Sequence, residues 1–128
     1  MPKMLLLVDD LFFSVQLENA ARAVGLEPVN GPGPKTGETL GDADLRLVVL
    51  DLALWAQPWS KALAEVRAAR PDVAVLAYGP HVDVETRRAA QAQGATRVVT
   101  KQQLVADLPG LLRRYGLATT ETTSADEG

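Results

Sequence analysis

Met4-Leu5-Leu6-Leu7-Val8-Asp9-Asp10 decides how the rest of the chain is read. Five apolar residues without a polar break, closed by two carboxylates, are too few for a typical helix. They suit a strand buried on both faces, as in a parallel sheet. The same grammar recurs: Leu45-Arg46-Leu47-Val48-Val49-Leu50 ends at Asp51, and Arg97-Val98-Val99-Thr100 is followed by Lys101. In a chain where such runs alternate with helices, the carboxyl ends of the strands open on one crevice. Asp9, Asp10, Asp51 and Lys101 are therefore expected to converge. Acids with one lysine in one crevice have the chemistry of a Mg²⁺ and phosphoryl site.

Helical spacing fills the intervals. Phe13, Leu17, Ala20 or Ala21 and Val24 form a stripe that Gly25 stops, which predicts a first helix over Phe12–Val24. Strand two is brief, Glu27 to Val29. The stretch Asn30-Gly31-Pro32-Gly33-Pro34-Lys35-Thr36-Gly37 excludes regular structure by its glycine and proline, so a loop is expected where a second helix would lie. Pro58 suits the first turn of a helix with stripe Trp59, Leu63 and Val66, ending before Pro71. Strand four is Val73 to Tyr78. Asp83 can cap a helix that Gly94 follows, strand five is Arg97 to Thr100, and a last helix carries Leu104, Leu108, Leu111, Leu112 and Tyr115. Residues 118–128 hold too little apolar surface to offset their ordering entropy and are expected to form a disordered polar tail after a domain spanning 1–117.

Composition narrows the function classes. At 128 residues the chain is one domain that can bury its own core, and with no cysteine it has no disulfide, thiolate metal site or cysteine nucleophile. The short apolar start is neither a signal peptide nor a membrane span, so a cytoplasmic location and no membrane partner are expected. A net charge of −3 with scattered Lys and Arg gives no basic stripe for nucleic acid, and a protein is the expected partner.

With Val8-Asp9-Asp10, Val49-Leu50-Asp51 and Lys101 at the ends of strands one, three and five, the chain from Met4 to Tyr115 resembles a response-regulator receiver domain. The resemblance implies a doubly wound α/β fold with a five-stranded parallel sheet, order 2-1-3-4-5, flavodoxin-like, here with helix two shortened or replaced by the Gly/Pro loop. It also implies Asp51 as the phosphoacceptor, Asp9 and Asp10 with the Ala53 backbone carbonyl as Mg²⁺ ligands, and Lys101 as the cation that contacts the phosphoryl group.

Several positions depart from that pattern. Counting back from Lys101, the receiver Ser/Thr is Gly79, which has no side-chain donor, and the next residue is Pro80, which has no backbone N–H. Hydrogen bonds to a charged group are worth about 1.5–3 kcal/mol each, so losing two weakens a phosphorylated state by roughly 10²–10⁴-fold. Val98 stands at the aromatic switch position, and Gln102 replaces the proline that aims the lysine through a cis bond. The resemblance with these losses implies a degenerate, stand-alone receiver-like module that works by binding proteins, a histidine kinase or another signalling protein, with weak or absent phosphorylation and at most weak Mg²⁺ binding. The alternative is a conventional single-domain regulator phosphorylated on Asp51, whose only chemistry is transfer onto itself. A flavodoxin-like cofactor carrier ranks third, because Asp9 and Asp10 repel phosphate where its cradle would be.

Other residues have simpler readings. Trp55, on the loop after Asp51, is either a partner contact or a packing residue, whereas Trp59 belongs to the helix stripe. His81 reads as a solvated loop residue, and Arg87, Arg88, Arg113 and Arg114 as solvated helix faces. Val29 and Pro34 break any P-loop pattern around Lys35-Thr36.

Overall fold

A computed structural model describes residues 1–55 and 57–117. The expected tail lies outside the described residues. The elements are β1 (Lys3–Leu7), α1 (Leu11–Val24), β2 (Glu27–Gly31), α2 (Thr36–Leu40), β3 (Leu45–Asp51), α3 (Trp59–Ala69), β4 (Ala74–Gly79), α4 (Val84–Ala92), β5 (Arg97–Thr100), α5 (Lys101–Ala106) and α6 (Leu108–Gly116). All the strands pair in parallel, in the order β2-β1-β3-β4-β5.

The unbroken apolar runs are explained by burial on both faces. Met4, Leu6, Leu47, Val49, Leu76 and Val99 pack with Phe13, Leu17, Leu104 and Leu112 on one side of the sheet. Leu5, Leu7, Val48, Leu50, Val75 and Val98 pack with Leu63, Val66 and Ala90 on the other. The period of two then sends Asp51 and Tyr78, one pleat beyond Val49 and Leu76, toward the face covered by α1, α5 and α6.

Termini of the helices follow local chemistry. Asp10 caps α1 by accepting from the Phe13 N–H at 3.1 Å, and Gly25 ends it at φ 92°, a left-handed conformation open to glycine. Asp83 caps α4 in the same way through the Thr86 N–H at 2.6 Å.

Two expectations need correction. The Gly/Pro stretch is not wholly loop, since residues Thr36–Leu40 close a short helix that buries Thr39 and Leu40; helix two is shortened. The last helix is two, broken at Asp107 (φ −138°, ψ 43°), because Pro109 has no N–H to continue the ladder and its ring would meet the carbonyl four residues back. No helix among the described residues is long and apolar enough to cross a membrane.

Candidate functional site

The sheet order reverses between β1 and β3, and the crevice at that point is where Asp9, Asp10 and Asp51 emerge. Asp51 is the last residue of β3 and only 8% exposed. Its Oδ1 accepts from the Ala53 N–H at 2.8 Å. Burial pushes the Asp51 carboxyl above the usual carboxylate range; the Ala53 N–H, the nearby Tyr78 hydroxyl and Lys101 oppose this without cancelling it, and Asp9 adds to it.

Asp9 and Asp10 are half-buried and turned to other tasks. Asp9 Oδ2 accepts from the Trp55 N–H at 2.6 Å, tying the loop after β3 to the end of β1. Asp10, besides capping α1, lies 3.5 Å from Lys101 Nζ. The Phe13 N–H first and Lys101 second hold its carboxyl below the ordinary value.

Lys101 opens α5, and a capping box sets its backbone: the Thr100 hydroxyl accepts from the Gln103 N–H at 3.1 Å while Gln103 Oε1 accepts from the Thr100 N–H at 2.8 Å. The ammonium rests 4.5 Å over the Phe13 ring, between aromatic face and Asp10. Its ion pair is with Asp10, and Asp51 feels it only as a weaker, more distant charge.

Gly79 is buried at the end of β4, and Pro80 and His81 are exposed beyond it. Glycine is not demanded by space: a Cβ at Gly79 would meet Val82 Cγ2 at 3.4 Å, Leu52 Cβ at 3.6 Å and the His81 carbonyl oxygen at 3.8 Å, none closer than tight van der Waals contact. Val98 is fully buried in the core on the α3 and α4 side. Trp55 is 82% exposed, which removes the packing reading, while Trp59 packs against the core as expected. Arg87 corrects its expectation of a solvated face, since it is half-buried and donates to the Val98 carbonyl at 2.5 Å.

Tyr78 is the site residue that sequence reasoning missed. It faces Asp51 across the β3–β4 register, is 2% exposed, and packs edge-on against Phe13 with centroids 5.2 Å apart. Its hydroxyl and the Asp51 carboxylate perturb each other's ionisation, and among the described residues the buried hydroxyl completes no hydrogen bond of good geometry. Burial and the Asp51 charge push the phenol far above its ordinary pKa. A tyrosine one pleat from Leu76 and one residue before Gly79 was the available signal.

Hard oxygen donors of the right kind for a divalent cation line the crevice. Among the described residues no three acidic, histidine or cysteine side chains are grouped so as to hold a metal ion by themselves. Each acid instead accepts from a donor of its own chain.

No family model matches the sequence, and no curated protein matches it. Solved structures do. A response regulator from Burkholderia pseudomallei, crystallised with a phosphorylated aspartate, calcium and citrate, aligns at TM-score 0.76 and 16% identity over 99% of this chain and 72% of its own. The chemotaxis protein CheY4 of Vibrio cholerae aligns at TM-score 0.77 and 16% identity over 90% of this chain and 98% of that one. The beryllofluoride-activated receiver domain of Klebsiella pneumoniae RstA aligns at 0.75 and 18%, covering 88% and 97%. The fold is that of response-regulator receiver domains.

Proposed function

We propose that this chain is a receiver-like module of two-component signalling that acts by binding a protein partner, with phosphorylation of Asp51 weak or absent. The observation that carries the reading is how the acids are used: Asp9 secures Trp55, Asp10 caps α1 and pairs with Lys101, and Asp51 holds Ala53. A divalent cation must displace these contacts before it gathers the carboxylates, so Mg²⁺ is held weakly. Gly79 supplies no side-chain donor and Pro80 no backbone N–H to an added phosphoryl group, and Val98 supplies no ring to report it.

The binding face is apolar and borders the crevice. Leu11 and Phe12 on α1 are 79% and 92% exposed, Val15 lies one turn on, and Trp55 reaches solvent from the loop that Asp9 holds. Exposed aromatic side chains on a fixed backbone are suited to anchoring a protein partner, a histidine kinase or another signalling protein.

The test is affinity capture of binding proteins from the native host, with and without a small phosphodonor. Capture that survives omission of the donor and is lost in Phe12→Ser/Trp55→Ser supports the reading. Capture that depends on the donor and on Asp51 supports the second reading, a phosphorylated regulator like the Burkholderia protein, for which the Tyr78 hydroxyl is the favouring observation. Recovery of no partner in either condition contradicts the proposal.

A further inference from the structure

We propose that the Tyr78 hydroxyl is the hydrogen-bond donor to a tetrahedral anion seated on Asp51, standing in for the donors that Gly79 and Pro80 lack. This rests on the part of the reading above that leaves Asp51 a weak capacity to carry a phosphoryl group.

Geometry supports it in three ways. First, the hydroxyl is buried and among the described residues completes no hydrogen bond, which is costly for a polar group and calls for an acceptor in some state of the protein. Second, the acceptor it faces is Asp51, its partner in the strand register; the Leu52 N–H donates to the Tyr78 carbonyl at 2.7 Å, so the two strand ends are locked side by side. Third, the ring is held edge-on to Phe13 at an interplanar angle of 66°, and the same Phe13 carries Lys101 on its face. The hydroxyl therefore sits on a fixed scaffold beside the Asp51 carboxylate.

Adding negative charge at Asp51 strengthens the pull on that proton. A donor held only loosely in the resting pocket and engaged fully in the loaded one favours the loaded state by the difference between the two. Lys101 meanwhile is paired with Asp10 at 3.5 Å, so the buried Tyr78 hydroxyl beside Asp51 is a further donor the pocket offers.

Beryllofluoride, a stable mimic of a carboxylate-bound phosphoryl group, provides the test. It is titrated into the wild-type chain in Mg²⁺ buffer and followed by fluorine NMR and by tryptophan fluorescence. The wild type is expected to form an Asp51-dependent adduct, and Tyr78→Phe, which keeps ring and packing, to weaken it about ten- to a hundredfold, the worth of one hydrogen bond to a charged group. Gly79→Ser has room for its Cβ and should tighten the adduct in the wild type and restore it in Tyr78→Phe. Equal affinity of wild type and Tyr78→Phe overturns the proposal, as does a Gly79→Ser chain that gains nothing. A wild type that forms no adduct also overturns it, while leaving donor-independent partner capture, and with it the docking reading, intact.

Discussion

Asp51→Asn should make the protein more stable at neutral pH. The carboxylate is 8% exposed, and among the described residues its one donor of good hydrogen-bond geometry is the Ala53 N–H, so its charge is incompletely compensated. Asparagine keeps the oxygen that accepts from Ala53, removes the charge, and offers an NH₂ to the Tyr78 oxygen, which completes no hydrogen bond among the described residues. A buried polar group left unsatisfied costs about 1–3 kcal/mol. Relief of part of that, about 1–2 kcal/mol, corresponds to a Tm rise of roughly 3–10 °C for a domain of this size. The sign depends on pH. A carboxyl whose folded pKa lies above its unfolded value favours the fold in acid, and that contribution is lost as pH rises through the folded value. The gap between variant and wild type should be widest near pH 7.5 and should close in acid, where both side chains are neutral. Urea and thermal melts at several pH values measure it. Destabilisation by asparagine at pH 7.5, or a gap that persists unchanged in acid, would refute the reasoning.

Asp10→Asn should behave oppositely. Its folded pKa is depressed, so the carboxylate stabilises above the unfolded value and that benefit fades as pH falls through the folded one; the variant should melt lower than wild type at neutral pH and equal it in acid. Arg67→Ala should cost about 2–4 kcal/mol in urea melts, because its guanidinium donates to the carbonyls of Val73 and Gly94, at 2.6 Å each, and to Arg70 at 3.1 Å. A loss under 1 kcal/mol would show that water replaces those bonds readily.

Much of the fold was legible because burial on both faces leaves an unmistakable mark. Met4 to Val8 and Leu47 to Leu50 have no polar face to hide, and the carboxylates that end them fall at the crevice by topology alone. Less legible was whatever depended on a short-range contest. Thr36–Leu40 helix formation amid glycines and the break at Asp107 before Pro109 each turn on a few backbone bonds. The site was harder still. Strand ends brought the acids together, but which donor each carboxylate takes is decided by side-chain geometry: Asp9 found the Trp55 N–H and Lys101 found Asp10 and Phe13. Tyr78 escaped notice because in sequence it is only one more apolar position of a buried strand.

Intact-mass measurement after incubation with Mg²⁺ and a small phosphodonor tests the central claim most directly. The account predicts a substoichiometric, short-lived gain of one phosphoryl mass, or none, with any gain abolished in Asp51→Asn. A stoichiometric adduct on Asp51 that persists for hours would contradict it.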